Sequence, residues 1–221
     1  MRIPDRTSEP LRRIHSLTGT IPLGVFLLEH FAVNAFALGG AESFRRVTSG
    51  IGGIPLLAAI EIAGIAVPLL VHGVLGILIA TELPERGSPA WPDRREIVQR
   101  ATGLLLLPYL IYHVWSTRLS PDVLTRHAEL FEVMRRQVSG WGGFAFHAIG
   151  VSLAAWHLGN GLPGFARRFR LARTPRSERA VARASGALSL ALAALGVAIL
   201  LAFARGLPHA APPGPAGGPI R

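Results

Sequence analysis

The sequence predicts an all-α integral membrane protein, a bundle of five transmembrane helices, and three observations lead to this fold class. Half of the 221 residues are hydrophobic, only 16% are charged and the mean hydropathy is +0.40, which is too apolar for a soluble domain of this size. Five apolar runs are each long enough to cross the ~30 Å hydrocarbon core of a bilayer. Polar segments rich in glycine, proline and arginine separate these runs.

Each apolar run is predicted to be a helix, because a helix satisfies its own backbone hydrogen bonds in lipid. In chain order the predicted spans cover residues 14–38, 54–80, 97–118, 141–165 and 182–204. We expect residues 1–206 to form one membrane domain and the Pro/Gly-rich residues 207–221 to form a disordered tail. The segment between spans three and four has room for a short surface helix.

Arginine sets the predicted orientation, because the chain contains no lysine and its net charge of +10 comes from arginine alone. If the N-terminus is inside, 15 arginines lie in cytoplasmic segments and 8 in outer segments. The positive-inside rule therefore places the N-terminus in the cytoplasm and the C-terminus outside. Orientation also accounts for the basic charge without a nucleic-acid partner.

A signal peptide cleaved after Ala37 is the competing interpretation of the first span. Its apolar region would exceed the usual length of about 7–15 residues and would contain Glu29 and His30. We therefore expect this segment to remain in the membrane as span one.

Four of the eight histidines lie deep inside predicted spans, where ionisable side chains are rare and usually functional. At ~1.5 Å per residue, His30 and His113 lie about 20–25 Å outward from the cytoplasmic starts of spans one and three. By the same rise, His72 and His157 lie about 12–15 Å before the cytoplasmic ends of spans two and four. The four therefore form an outer pair and an inner pair, as two stacked haems with two axial imidazoles each require.

For any single buried histidine, a hydrogen bond to a neighbouring helix is commoner than metal ligation. Glycines near these histidines, such as Gly19, Gly73 and Gly103, admit either another helix or a flat macrocycle. It is the pairing by depth that favours haem. The remaining histidines are weaker candidates at span ends, in a loop and in the tail: His15, His127, His147 and His209.

Six blocks of the chain resemble one known family in order and in spacing. They are "LRRIHSLTGTIPLGVFLLEH" (11–30), "GAESF" (40–44), "IEIAGIAVPLLVHGVLGILIA" (60–80), "QRATGLLLLPYLIYHVWSTR" (99–118), "IGVSLAAWHLGNGL" (149–162) and "TPRSER" (174–179). These blocks resemble the single-chain, five-helix, di-haem cytochrome b anchors of succinate:quinone oxidoreductases, in the type typified by Gram-positive succinate:menaquinone reductases. The resemblance covers nearly the whole chain.

The resemblance implies that His30 and His113 ligate a distal haem b, and that His72 and His157 ligate a proximal haem b. It implies the membrane-anchor subunit of succinate dehydrogenase in a bacterial cytoplasmic membrane, passing electrons from succinate through the two haems to a quinone, menaquinone in this type. The implied partners are a flavoprotein subunit with covalent FAD and an iron–sulfur subunit on the cytoplasmic face. The absence of cysteine fits this division of labour, because this chain alone cannot hold an iron–sulfur cluster.

Two carboxyl groups are candidates for quinone binding or proton handling near the outer haem. Glu61 is the first, since it lies some three turns before His72 on the inward-running span two and therefore falls in the outer half. Glu29 is the weaker, because adjacent helical positions differ by about 100° and it cannot face the same way as His30. A structural carboxylate, neutral or paired with arginine, is the competing interpretation of Glu61.

One position departs from a related type. In the di-haem fumarate reductases of epsilonproteobacteria, a glutamate two residues before the fourth-span ligand is assigned to transmembrane proton transfer, and here that position is Ala155. We do not expect that proton pathway in this chain.

The cytoplasmic mouth of span one carries polar residues that could meet haem propionates, which are anionic and lie near the membrane boundary. These candidates are Arg12, Arg13, His15 and Ser16. Positive-inside anchoring explains some of the arginines equally well. The histidine and the serine are the more specific candidates, because orientation does not need them.

Two other function classes stay open at this point. One is a di-haem quinol-oxidising anchor of fumarate reductase, hydrogenase or formate dehydrogenase; the last two do not share the ordered blocks. The other is a haem-free transporter that uses intramembrane histidine and glutamate for protons or metal, although no inverted repeat is visible in the sequence.

Overall fold

The apolar runs and several of the polar segments fold as helices in the computed structural model, which describes residues 5–81, 93–124 and 129–206. The α-helices are α1 (Asp5–Thr20), α2 (Pro22–Asn34), α3 (Ala41–Gly52), α4 (Leu57–Glu61), α5 (Val67–Thr81), α6 (Arg94–Val114), α7 (Pro121–Leu124), α8 (Leu130–Val138), α9 (Trp141–Arg168) and α10 (Pro175–Arg205). No β-strand occurs in these residues, and the predicted all-α class is confirmed. The predicted tail, 207–221, lies outside the described residues.

The long helices occupy the predicted spans. In the described part of the chain, four stretches are long and apolar enough to cross a membrane: Glu9–Gly39, Leu57–Thr81, Arg94–Leu119 and Pro175–Arg205. Helix α9 has 28 residues, but it meets the same criterion of length and hydropathy only when it is taken together with α8, from which it bends by 109°. Its apolar character is reduced by internal polar side chains, among them His147, His157 and Asn160. The four stretches coincide with the predicted spans one, two, three and five, and α9 occupies the predicted span four; the helices keep these numbers.

Irregular turns interrupt the first three spans. Pro22 has no N–H to donate to the carbonyl of Thr18, and α1 gives way to α2 at Ile21. A 3₁₀ turn, Ala35–Gly39, continues α2. π-Helical turns precede α5, at Ile62–Ala66, and follow α6, at Trp115–Leu119. Such π turns occur often at functional sites.

Span four occupies the middle of the bundle. Helix α9 packs against α10, α6 and α1, and α1 in turn packs against α5. Gly159 permits a close approach of α9 to α10, because a Cβ there would overlap the hydroxyl of Ser189. Span two lies at the periphery. None of the residues in its most apolar stretch is buried, and Leu70 is 68% exposed. In a membrane, these exposed apolar side chains face lipid.

Two helices outside the spans cover the C-terminal end of span five, which is its predicted outer end. Helix α3 forms within the polar segment between spans one and two, whose composition predicts only an interruption. It is held there by Phe44, whose ring centroid lies 5.3 Å from that of Phe203 and 6.0 Å from that of Phe131. Helix α8 is a short helix in the segment where one was expected, and it buries Phe131, Met134 and Val138.

Side-chain caps fix the predicted cytoplasmic starts of two spans. The carboxylate of Asp93 accepts a hydrogen bond from the backbone N–H of Glu96 at 2.8 Å and begins α6. Thr174 and Ser177 form a capping box at the start of α10. These ends place the first turns of α6, with their polar side chains, beside the end of α9.

Candidate functional site

The deep histidines lie in two layers between spans one, two, three and four. The layer on the predicted outer side, called the outer layer, contains His30, His113 and His147, and the layer on the predicted cytoplasmic side, called the inner layer, contains His72 and His157. His147 and His157 are ten residues apart on α9, so the layers lie about 15 Å apart at ~1.5 Å per residue. The structure thus brings together the residues of each predicted pair.

His72 is held against span one by a reciprocal pair of hydrogen bonds. Its Nδ1 lies 2.9 Å from the carbonyl oxygen of His15, and Nδ1 of His15 lies 3.0 Å from the carbonyl oxygen of His72. The two rings stack at a centroid distance of 4.0 Å. Gly19 makes this possible, because a Cβ at that position would overlap the His72 ring. Since Nδ1–H of His72 donates to a carbonyl, Nε2 is left as the nitrogen that can bind a metal.

His157 has the same kind of support from span three. Its Nδ1 lies 3.1 Å from the hydroxyl oxygen of Thr102, which itself donates to the carbonyl of Val98 at 2.8 Å. The threonine oxygen therefore accepts from Nδ1–H of His157, which leaves Nε2 of His157 unprotonated; the amide nitrogen of Gln99 lies 3.3 Å from this Nε2. Gly103 leaves room for the ring, because a Cβ there would lie 2.9 Å from Cε1 of His157.

A polar network continues from His157 toward the predicted cytoplasmic side. Gln99 donates from Nε2 to the carbonyl of His157 at 3.1 Å, and Asn160 donates to the side-chain oxygen of Gln99 at 2.8 Å. Asn160 also donates to the Arg95 carbonyl at 3.1 Å, while Nε of Arg95 donates to the Asn160 side chain at 3.2 Å. The network ties the end of α9 to the first turns of α6.

The outer pair has a different environment. The ring centroids of His30 and His113 are 5.8 Å apart, with planes at 88°. The carbonyl of His30 accepts a hydrogen bond from the Asn34 side chain at 2.8 Å, and the carbonyl of His113 accepts one from Thr117 at 2.6 Å. The Tyr109 ring stacks on His113 at 5.6 Å. Aromatic packing, more than hydrogen bonding, therefore surrounds the outer imidazoles.

The spacing of each predicted pair fits a haem iron between the two imidazoles. With metal–nitrogen bonds of about 2.0–2.1 Å, two imidazoles on opposite sides of one iron have centroids roughly 6 Å apart. The centroids of His72 and His157 are 6.1 Å apart and those of His30 and His113 are 5.8 Å apart, both close to this value. His113 and His147, at 6.3 Å, meet it as well, so it is the predicted pairing by depth, and not the spacing, that selects His30 as the partner of His113. His15 and His72, at 4.0 Å, are too close to share an iron. The described residues contain no cluster of three or more metal-ligating side chains, so the imidazole pairs are what this part of the chain offers to a metal.

A groove of ligand size adjoins the inner layer. It has a volume of about 510 Å³ and is lined by Thr102, Ala148, Ile149, Ser152, Leu153 and Trp156. Thr102, the partner of the His157 ring, lies in its wall. The groove therefore extends from the depth of His157 toward the outer layer, between α6 and α9.

The predicted quinone-side carboxylates have different surroundings. Oε2 of Glu61 lies 2.5 Å from Nη2 of Arg118, so the two side chains form an ion pair between spans two and three. Glu29 is exposed on the side of α2 away from the bundle, whereas the adjacent His30 is half-buried. Neither carboxylate lies among the stacked histidines.

The predicted propionate contacts lie at the beginning of span one. His15 is engaged with His72 as described, and Ser16 and Arg12 are half-buried. Arg13 is exposed and pairs with Glu9 at 3.2 Å, one turn earlier. Of the two arginines predicted to meet propionate, Arg13 thus makes a local helical ion pair.

Sequence reasoning missed several residues that support the histidines, namely Gln99, Thr102, Tyr109 and Asn160, and it gave little weight to His147. A signal was present: Gln99 and Thr102 are three residues apart, as are His157 and Asn160, so each pair lies on one face of an apolar helix. Polar residues inside spans are expensive and usually functional. Extending the histidine search to all intramembrane polar residues would have found the inner network.

Comparison with known proteins gives one informative similarity. No protein-family model matches the chain, and no solved structure matches it. Over 195 residues the chain is 34% identical to a curated protein of Bacillus subtilis (strain 168), the succinate dehydrogenase cytochrome b558 subunit. The alignment covers 87% of this chain and 95% of the relative.

Proposed function

This chain belongs to the family of the succinate dehydrogenase cytochrome b558 subunit, and on that premise we propose that it anchors a succinate dehydrogenase in the membrane and carries electrons between the complex and a quinone. The family makes it a membrane-anchor cytochrome b subunit. The same similarity favours succinate dehydrogenase over hydrogenase or formate dehydrogenase anchors and over a haem-free transporter.

The detailed proposal depends on the two imidazole pairs, one in each layer. The ring centroids are 5.8 Å apart in the outer pair and 6.1 Å apart in the inner pair. We assign His30 and His113 to an outer haem b, and His72 and His157 to an inner haem b. When bound, haem supplies one-electron transfer, and its potential depends on the axial ligands and their hydrogen bonds. For the inner pair, the chain places the ring proton on Nδ1 through the His15 carbonyl and the Thr102 hydroxyl, so that Nε2 of His72 and of His157 keeps its lone pair for a metal.

The proposed partners follow from the family and from charge. A flavoprotein subunit with FAD would handle the dicarboxylate, and an iron–sulfur subunit would dock on the cytoplasmic face, where the arginine-rich ends of spans two and four and the N-terminus lie in the positive-inside orientation. The inner haem layer is the nearer to that face. A bacterial cytoplasmic membrane with the N-terminus inside and the C-terminus outside is the proposed location.

The quinone, menaquinone in the proposal, would react on the outer side, near the layer of His30 and His113. Its reduction needs protons, and Glu61 is the proposed quinone-side or proton-handling group, with Glu29 the weaker candidate. The ion pair of Glu61 with Arg118 holds the carboxylate between spans two and three.

Difference spectra of the membrane complex test the haem assignment. The intact complex should contain two haems b per copy of this chain. His30→Ala and His113→Ala should each remove the outer haem and leave the inner one, while His72→Ala and His157→Ala should do the opposite. The retained haem shows that each variant has assembled. Leu28→Ala, which alters an exposed side chain two residues from His30, is the control and should retain both haems.

Two results would contradict the proposal at different levels. A purified complex without reduced haem b absorbance bands would remove the cytochrome assignment. If His30→Ala removed the same haem as His72→Ala, the cytochrome assignment would stand and the pairing would be wrong.

A further inference from the structure

His147 is one of the most deeply buried polar side chains in the described residues, at 1% exposure. It lies on α9 in the outer layer, with its ring centroid 6.3 Å from that of His113 and 5.8 Å from that of Tyr109. Neither the predicted haem ligands nor the family similarity gives it a role. A buried imidazole beside a predicted ligand requires an explanation.

Two nitrogens in this cluster share one feature. Nδ1 of His113 and Nδ1 of His147 are both buried, and neither has a hydrogen-bond partner among the described residues. The inner ligands differ, because Nδ1 of His72 lies 2.9 Å from the His15 carbonyl and Nδ1 of His157 lies 3.1 Å from the hydroxyl of Thr102. Metal-ligating histidines almost always donate the other ring N–H to a partner. His113 is therefore a predicted ligand whose buried Nδ1–H still needs an acceptor.

The distance between the two rings indicates how they are connected. Imidazoles joined directly by an N–H···N bond of about 3 Å have centroids about 5 Å apart. A bridging water between the two nitrogens raises this separation to roughly 6–7 Å. The observed 6.3 Å is too long for the direct bond and fits the bridged arrangement, while the iron that would need a similar spacing is assigned to His113 with His30. A water there would have two buried nitrogens as partners, which is the kind of site that holds ordered water in protein interiors.

The backbone of α9 is adapted to this cluster. Gly150, one turn after His147, faces Tyr109, and a Cβ at this position would overlap the tyrosine ring. The glycine thereby admits Tyr109, whose ring stacks on His113 with planes at 19°. One turn of α9 thus supplies the His147 imidazole and also the space for the Tyr109 ring, which stacks on His113 and fixes its plane.

We propose that His147 is a positioning residue for the outer haem: it accepts, through one bridging water, the hydrogen bond that Nδ1–H of His113 donates. This bond orients His113, leaves its Nε2 for the iron and increases the basicity of the ligand. The inference rests on the proposed function, because it concerns the haem assigned to His30 and His113.

Two substitutions of almost equal shape test the proposal in the intact complex. His147→Leu removes the polar atoms, while His147→Asn keeps an acceptor oxygen close to the place of Nδ1. The measurements are redox titration and low-temperature EPR of both haems, and the inner haem serves as an internal standard for assembly. Phe146→Leu, beside His147 but 42% exposed, is the control for a change in packing.

We expect His147→Leu to raise the midpoint potential of the outer haem, because a less basic ligand stabilises the oxidised iron less, or to release this haem altogether. The inner haem should be unchanged, and His147→Asn should stay close to the unaltered complex. If the leucine and asparagine variants behave alike, whether both are normal or both are impaired, the positioning role is overturned. Absence of haem from the unaltered complex would instead overturn the proposed function.

Discussion

Glu61 and Arg118 connect span two to span three through an ion pair, with Oε2 and Nη2 2.5 Å apart. Each residue adjoins or belongs to a π-helical turn, Ile62–Ala66 and Trp115–Leu119 respectively. The pairing with arginine is what the structural interpretation of Glu61 predicts. The position of the pair in the predicted outer half, with Arg118 five residues after His113, is what a quinone-side role predicts. The two interpretations differ in what a neutral amide would do.

Glu61→Gln should lower succinate-driven quinone reduction at least about tenfold, since loss of a proton-transferring group typically costs 10²–10⁴-fold in rate. Both haems should remain, because the amide keeps the shape of the side chain and lies outside the histidine layers. The measurement is quinone reductase turnover normalised to haem content. Glu132→Gln is the matched control, because Glu132 also pairs with an arginine, Arg135 at 2.8 Å, but on α8 outside the spans. Unchanged turnover in Glu61→Gln with both haems intact would leave Glu61 a structural role only.

The depth of the four central histidines could be predicted because helical rise is nearly constant. Counting residues from the arginines at the span ends grouped His30 with His113 and His72 with His157, and these are the rings that the structure brings near 6 Å. Four of the five predicted spans coincide with stretches long and apolar enough to cross a membrane, because apolar length is read directly from the sequence; α9 reaches this only together with α8.

Lateral contacts could not be predicted from one sequence. A helical period gives the depth and face of a residue, but not which neighbouring helix the face meets, so the stacking of His15 on His72 was hidden. His147 was misjudged for the same reason: its position near the start of span four suggested the membrane boundary, while packing against Tyr109 and His113 buries it. Helix α3 forms because Phe44 finds aromatic partners far away in the chain.

The Gln99 network gives a prediction for the inner haem alone. Gln99→Leu removes the donor to the His157 carbonyl and one acceptor of the half-buried Asn160 amide, which keeps its bonds to Arg95, and loss of one such hydrogen bond costs about 0.5–1.5 kcal/mol. We expect the inner haem to dissociate at a lower temperature and the outer haem to be unaffected, as measured by difference spectra during heating. Gln137→Leu is the control, because Gln137 bonds to Ser116 near the outer layer. Equal loss of both haems from Gln99→Leu would indicate general destabilisation instead of a local role at His157.

Gly19 and Gly73 offer a matched test of how His72 is held. A Cβ at Gly19 would overlap the His72 ring, which cannot move away without losing the 2.9 Å bond from Nδ1 to the His15 carbonyl. A Cβ at Gly73, the residue after His72, would meet no atom within 4 Å. Gly19→Ala should therefore cost about 1–3 kcal/mol of overpacking and reduce the haem content from two to one per chain, with the outer haem retained. Gly73→Ala should keep both haems, because alanine favours the helix over glycine.

Quantifying haem against protein decides between these outcomes. If Gly19→Ala kept two haems at unchanged potentials, the His72 ring would have to lie elsewhere in the assembled complex.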